Sequence, residues 1–425
     1  MKHSVALVGF GGFGASHLKT IIKNPMEERY SFDAAVDLYP ENAPGYPWLV
    51  ENKIPIYSSL TEMYKNHAPD YVIISTPVMS HLPMITEAME NGSHVFCEKP
   101  IFPRIQDAYT AEKVIKKSGK ILSVGFNWSY TKAMTDLKND IISGVFGAPV
   151  RLSGCVIWQR FDRYFSRPWA GKYKLPTGEF VCDSVVSNAT SHFLHNILWL
   201  LGKTLNSSAM PDSVLASVYR AKDIETFDTA FIKGKISGGE FYFSASHSMD
   251  SNTNTPYINY EFENATIKYE PANAPRLTAY LKNGTIKDYS LIDESHTTNN
   301  TKKTLYVLDI IDGLAPECCG LDAAIPHLKI SNAIFEKCPV NFFPEELKIR
   351  IESASGMGLK SFDEGAFIKG LAKDMLSMYE NNLMPNETDA LWAAESTGLG
   401  SLSEYNEFKD INPAYNKVKL PMEEC

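Results

Sequence analysis

Short apolar runs alternate with amphipathic stretches over the first third of the chain. Val5-Ala6-Leu7-Val8, Phe32 to Val36, Tyr71-Val72-Ile73-Ile74-Ser75, His94-Val95-Phe96-Cys97 and Lys120 to Val124 are the apolar runs. Runs this short and this continuous suit strands buried on both faces. Between them, Ala15 to Lys23, Leu82 to Asn91 and Gln106 to Lys117 read as helices, the second stopped by Gly92. Ser59 with Glu62 three residues on forms a capping box that opens a further short helix. Repeated strand–helix units of this length predict a parallel, doubly wound sheet with right-handed crossovers. In such a sheet ligands lie beyond the carboxyl ends of the strands.

After about residue 125 the pattern changes. A helix is expected from Lys132 to Ile142, a strand from Val150 to Trp158 and a helix from about Asn188 to Leu201. From Ser213 to Tyr269 the apolar positions recur with period two, as in antiparallel or mixed strands. Helical patterns return at Leu305 to Leu314, Ala323 to Phe335 and Ala366 to Tyr379. The expected fold is therefore α/β: an N-terminal dinucleotide-binding domain over 1–125, then an α+β domain with a large mixed or antiparallel sheet over 126–425. Helices on one face of that sheet would leave the other bare, a natural surface for a homodimer or homotetramer.

Composition narrows the function classes. A chain of 425 residues favours two domains. Its 44% hydrophobic and 21% charged residues fit a globular protein. A net charge of −9 argues against non-specific binding to nucleic acid or to an anionic membrane. No apolar run approaches bilayer length, and the stretch after Met1-Lys2-His3 is too short for a signal peptide. Seven cysteines without C-x-x-C spacing suggest free thiols in a reducing cytoplasm.

The sharpest local signal is Gly9-Phe10-Gly11-Gly12-Phe13-Gly14, a G-x-G-x-x-G turn between the first strand and the first helix. Such a turn sets backbone N–H groups and a helix N-terminus against a pyrophosphate, the signature of a Rossmann domain. Gly9 permits the tight turn, Gly11 lets the backbone approach phosphates, and Gly14 lets helix and strand pack closely. Asp37 ends the next strand, where a carboxylate accepts from a ribose 2′-hydroxyl and repels a 2′-phosphate. No Arg or Lys follows in Leu38-Tyr39-Pro40, so NAD(H) is expected over NADP(H).

Val72-Ile73-Ile74-Ser75-Thr76-Pro77, His81, and Gly92-Ser93-His94-Val95-Phe96-Cys97-Glu98-Lys99-Pro100 extend the pattern. With the glycine turn and a later Trp199-Leu200-Leu201-Gly202, they resemble the Gfo/Idh/MocA oxidoreductases over roughly residues 4 to 202. The resemblance implies NAD as cofactor. Gly9 to Gly14, Asp37, Ser75, Thr76, Pro77, His81, Glu98, Lys99 and Asn127 would form its rim, all but His81 at strand ends. Lys99, desolvated beside a cationic nicotinamide, would have a lowered pKa and could orient a substrate hydroxyl or relay its proton; a lysine merely paired with Glu98 at a surface turn is the bland alternative. Aligned on Trp-Leu-Leu-Gly, His192 falls on the family histidine. Asn188 stands where an aspartate is expected, Thr190 replaces a glycine, and His195 falls where another aspartate is common.

Asn188, His192, His195 and Trp199 are spaced 4, 3 and 4 apart, one stripe of a helix. His192 is the candidate proton acceptor, with Asn188 holding its ring or a substrate hydroxyl and Asp183, five residues earlier, the candidate source of the missing charge. A packed helix histidine is the alternative; a metal site lacks further ligands. Before this helix, Trp158 to Lys174 mixes five cations with six aromatics. It reads as a substrate loop, in which rings stack on sugar faces and cations bind hydroxyls or anionic groups, or as a solvated surface loop. Trp169 and Lys172 are its candidate contacts, with Asp183 and His195 beside them. The expected activity is NAD-dependent hydride transfer to or from a secondary alcohol of a sugar, cyclitol or related polyol. Redox-neutral recycling of NAD through a keto intermediate and a non-catalytic NAD and sugar sensor remain as alternatives.

Overall fold

The computed structural model describes residues 2–23, 28–251, 256–270, 276–290, 303–353 and 363–410. The chain divides into two compact units: Met1–Asp136 with Thr204–Ser207 and Leu291–Ile325, and the remainder. The first unit thus takes back a segment far along the chain, beyond the expected 1–125.

The first unit holds β1 (His3–Val8), β2 (Tyr30–Val36), β3 (Ile56–Tyr57), β4 (Tyr71–Ile74), β5 (His94–Cys97) and β6 (Leu122–Val124). They form one parallel sheet in the order β3-β2-β1-β4-β5-β6. The order reverses between β1 and β4, and the crevice at such a switch point is where this architecture takes ligands. Helices α1 (Gly14–Lys23), α2 (Tyr46–Glu51), α3 (Leu60–Tyr64), α4 (His81–Glu90) and α5 (Ile105–Ser118) connect the strands. Ser59 caps α3 by accepting from the Glu62 N–H at 3.1 Å, as the capping box predicts. Helix α6 (Lys132–Ile142) follows.

In the second unit, β7 (Pro149–Ile157), β8 (Ser213–Arg220), β9 (Thr229–Ile236), β10 (Gly239–Ser246), β11 (Tyr257–Phe262), β12 (Ala265–Glu270), β13 (Arg276–Leu281), β14 (Ile286–Ser290) and β15 (Val340–Phe342) make a mixed sheet. Its order is β14-β13-β12-β11-β7-β10-β9-β8-β15, with β7 parallel to β10 and β8 parallel to β15. Short helix α7 (Asp162–Phe165) and helix α8 (Ser191–Leu200) follow β7. Gly154 of β7 lies beneath α8: a Cβ there would stand 3.6 Å from Ile197 and 3.4 Å from Phe243.

Later elements are α9 (Lys303–Ile311), α10 (Leu321–Lys337), the hairpin of β16 (Lys348–Ser353) with β17 (Asp363–Ile368), α11 (Leu371–Asn381) and β18 (Thr397–Gly398). Here two expectations are corrected. The helix expected over Ala366 to Tyr379 begins only at Leu371, because Ala366-Phe367-Ile368 pairs with Lys348-Ile349-Arg350 and Gly370 breaks the chain at φ +81°. The sheet face opposite α8 is also not bare. Leu371, Met375, Met378 and Trp392 bury Cys155, Ile157, Tyr219, Phe231 and Tyr242, so the chain covers its own β7, β8, β9 and β10 there. Among the described residues no helix is long and apolar enough to cross a membrane, and no cluster of three or more His, Cys, Asp or Glu could hold a metal.

Candidate functional site

In the first unit the site begins where β1 ends. Gly9 adopts φ +76°, and a Cβ on it would lie 2.6 Å from the Ser75 carbonyl oxygen. A Cβ on Gly14 would lie 1.9 Å from the Gly9 carbonyl oxygen, so only glycine lets α1 start this close to β1. At Gly11 a Cβ would meet no protein atom within 4 Å. That side of the turn is open, and its bare backbone is what a pyrophosphate needs. Phe10 is buried; Gly12, at φ +47°, and Phe13 are exposed. The Asp37 carboxylate accepts from the Phe10 N–H at 3.1 Å and the Tyr39 N–H at 3.0 Å. It is thereby held at the strand end, half-buried, with lone pairs left for ribose hydroxyls. These residues fit a dinucleotide.

The neighbouring turns lock onto this one. Ser75 donates its N–H to the Val8 carbonyl at 2.8 Å, and Ser80 donates its hydroxyl to Thr76 Oγ1 at 2.8 Å. Pro77 caps the short turn that leads into α4. His81 is buried with its ring nitrogens on the carbonyl oxygens of Ile101 (3.0 Å) and Thr76 (2.9 Å). It ties two rim loops together, and burial lowers its pKa.

Glu98 is the hub. Its Oε1 accepts from His17 Nε2 at 2.8 Å and from Lys303 Nζ at 2.7 Å, while its Oε2 accepts from the Lys99 N–H at 3.1 Å. Lys303, the first residue of α9, also donates to the Gly125 carbonyl at 2.7 Å and to Asn127 Oδ1 at 2.6 Å. Burial pushes the Glu98 carboxyl up, but Lys303 and His17 outweigh it and hold it at about 2. Burial pulls Lys303 down and Glu98 opposes it; burial likewise lowers His17. A carboxylate only accepts, so the proton of neutral His17 sits on Nε2. Gly125 makes room for this hub: a Cβ there would lie 2.7 Å from Glu98 Oε2. Lys99 itself is half-buried, joined to Pro100 by a cis peptide bond. The first unit thus gathers Gly9 to Gly14, Asp37, Ser75 to Pro77, Glu98, Lys99 and Asn127 at the carboxyl edge of one sheet.

Sequence reasoning missed Lys303 and His17. The only signal was a lysine opening an apolar helix, and nothing local pairs it with a glutamate some 200 residues earlier. The return of α9 is secured by Arg29, which meets Asp309 at 2.7 Å and Asp312 at 2.6 Å.

In the second unit the histidine helix is shorter than expected. Ser184 accepts from the Ser187 N–H at 3.1 Å and opens a wide π turn over Val185–Ala189, closed by the Thr190 N–H on the Val185 carbonyl at 3.2 Å. The α-helix starts only at Ser191. Asn188 is therefore on the wide turn rather than on the helical stripe. Its Nδ2 donates to Asp183 Oδ1 at 2.7 Å, and Asp183 Oδ2 accepts from the Gly171 N–H at 2.6 Å. His192 lies in the first turn of α8, 8% exposed; His195 is fully buried, and burial with His327 and Lys138 nearby drives its pKa well below the usual value. Trp199 is fully buried with Lys138 Nζ 4.1 Å over its ring. Lys172 is paired with Glu225 at 2.8 Å, and Trp169 is half-buried under Arg167.

Residues 3–126 match the family model GFO_IDH_MocA, described as the oxidoreductase family with an NAD-binding Rossmann fold. The N-terminal domain belongs to this family. Its cofactor is NAD. The scyllo-inositol 2-dehydrogenase (NAD(+)) of Bacillus subtilis (strain 168) is 36% identical over 124 residues, which are 29% of this chain and 34% of that protein. The inositol 2-dehydrogenase of Rubrobacter xylanophilus is 25% identical over 202 residues, 47% of this chain and 52% of its own. The chain thus spans about a third to a half of the length of these curated relatives. Solved structures extend the fold likeness past residue 126. An oxidoreductase from Agrobacterium radiobacter in complex with NAD+, L-tartaric acid and magnesium has a TM-score of 0.63 at 19% identity, covering 79% of this chain and 96% of its own. The WlbA dehydrogenase from Chromobacterium violaceum in complex with NADH and UDP-GlcNAcA has a TM-score of 0.63 at 22% identity, covering 79% and 93%.

Proposed function

We propose that the protein is an NAD-dependent dehydrogenase acting on a secondary alcohol of a sugar, cyclitol or related polyol. The observation that carries this reading is the rim of the first unit. A glycine turn built for a pyrophosphate, an Asp37 poised for ribose, and a Lys99 whose backbone is fixed by the buried Glu98 share one sheet edge. The dehydrogenases named among the relatives act on inositols, which supports the substrate class. Bound NAD+ supplies the hydride acceptor. Lys99 hydrogen-bonds the reacting oxygen and stabilises charge on it. His192 takes the hydroxyl proton, and returns it in the reverse direction. Asn188, held by Asp183, contacts the substrate as a neutral donor or acceptor.

The test is NADH formation over a panel of sugars, uronic acids and cyclitols. Net NADH under excess substrate supports the reading. Conversion of substrate with bound NAD and no net NADH would move the assignment to redox-neutral chemistry. Failure to bind NAD at all would end both.

A further inference from the structure

The second unit holds a small, partly open cavity of about 10 Å³ lined by Asp183, Thr226, His247, Tyr164 and Phe165 among others. That is room for about one oxygen atom's worth of water. Two of its lining residues, Thr226 and His247, are essentially fully buried, and Thr226 Oγ1 and His247 Nε2 meet no protein hydrogen-bond partner. Asp183 and Ser184, also in the lining, each already have protein partners. Both Asp183 oxygens accept, from Asn188 and Gly171, and the Ser184 hydroxyl accepts from the Ser187 N–H.

The hydrogen-bonding character of the two open atoms is fixed. His247 Nδ1 lies 2.8 Å from the Trp158 carbonyl, which only accepts, so the ring proton is on Nδ1. Nε2 is then a bare lone pair. Burial, reinforced by Arg160, pushes the His247 pKa down to about 3, which keeps the ring neutral at ordinary pH. Thr226 Oγ1–H is a donor that also accepts. The cavity therefore asks first for a donor to the Nε2 lone pair. A neutral O–H supplies that and can also accept from Thr226 Oγ1–H, whereas a bare anion cannot donate and an ammonium cannot accept. Leaving two such buried atoms unmet is costly, and a built site accounts for their placement.

We propose that this cavity is a binding site for a single neutral hydroxyl oxygen, held between His247 Nε2 and Thr226 Oγ1. The oxygen belongs either to a resident water or to a hydroxyl of the polyol substrate. The second source rests on the function proposed above; the site itself does not.

The experiment has two arms on the full chain. The first is a high-resolution crystal structure with and without myo-inositol. An oxygen within hydrogen-bond reach of both atoms is expected in either crystal. A water retained in the presence of myo-inositol assigns the site to solvent, and its replacement by a cyclitol hydroxyl assigns it to substrate. A cavity without density, or one filled by a side chain, overturns the proposal. The second arm is thermal melting of Thr226→Val, a near-isosteric change that removes only the hydroxyl. If the oxygen is bound, the variant loses a partner and Tm falls by about 2–4 °C. If the cavity is dry, the variant removes an orphaned hydroxyl and Tm rises, which also overturns the proposal. Absence of NADH production from any polyol would count against the proposed dehydrogenase while leaving the oxygen and the melting shift in place.

Discussion

Replacing Lys303 by Met removes the cation at the centre of the Glu98 hub while keeping most of the side-chain volume. Lys303 is 3% exposed and Glu98 6%, so solvent screens the pair little. At 2.7 Å the Coulomb attraction is about 6 kcal/mol for an effective dielectric of about 20. Part of that offsets the desolvation of the two ions, and removing one member of such a pair typically costs about 3–5 kcal/mol because the other charge stays buried alone. The acceptors Gly125 O and Asn127 Oδ1 also lose their donor. For a unit of this size the loss corresponds to a Tm lower by roughly 6–20 °C at neutral pH. The pH dependence identifies the cause. In the wild type the folded Glu98 carboxyl titrates at about 2, below its ordinary 4.5. Its contribution is complete above about 4.5 and is lost as pH falls toward 2. In Lys303→Met, burial without the ammonium raises the carboxyl above its ordinary value, so protonation on acidification favours the folded state. The Tm gap between wild type and variant should therefore narrow from pH 7.5 to pH 4, measured by calorimetry. A gap that stays constant over that range would mean that Lys303 matters only by packing, and would refute the ion-pair argument.

Other substitutions separate cofactor binding from folding and from chemistry. Gly11→Ala should leave folding stability within about 0.5 kcal/mol of wild type, because its Cβ meets no protein atom, yet cut NAD affinity at least tenfold in calorimetric titration; unchanged affinity would remove the phosphate cradle from this turn. Gly14→Ala puts a methyl 1.9 Å from a backbone oxygen and should lose soluble protein or lower Tm by more than the wild type can tolerate, read from expression and melting. Lys99→Met should lower turnover by about 10²–10⁴ with NAD binding intact, and a fully active variant would dismiss Lys99 as the group at the reacting oxygen. Asp37→Ser should narrow the preference for NAD over NADP, measured as the ratio of the two kcat/KM values.

The parallel sheet was legible because five of its six strands carry a short apolar run, the two-residue β3 being too short to show one, and the glycine turn because its three constraints fall within six consecutive residues. Glu98-Lys99-Pro100 was legible for the same local reason. The hub behind it was not. His17 looks like any helix residue, and Lys303 follows Glu98 far along the chain with nothing local to pair them; both acquire meaning only when α1 and α9 are packed. The π turn escaped notice because periodicity cannot distinguish one extra residue in the first turn of a helix. What decides it is a side-chain cap at Ser184 and a five-residue backbone bond to Val185. The helix expected over Ala366 to Tyr379 failed at its start because apolar residues in a hairpin and in a helix look alike over three positions, and Gly370 was the stop signal that went unused.

The wide turn also bears on the histidine helix. A straight helix through residue 188 would have set Asn188 on the same line as His192, His195 and Trp199, four polar or aromatic groups with equal claims. The structure separates them. His195 and Trp199 are sealed in, the first with its pKa driven well down by burial with His327 and Lys138 nearby, the second under Lys138. His192 alone of the stripe keeps some exposure. Asn188 is turned aside onto Asp183 at 2.7 Å. A neutral amide at position 188 does not, then, strip the turn of negative charge, because a carboxylate stands one hydrogen bond away, fixed by the Gly171 N–H as well. Had position 188 been an aspartate in this geometry, it would have no N–H to offer Asp183 Oδ1, and two acceptors would face each other at that contact. Asparagine supplies the donor that makes the pair a hydrogen bond.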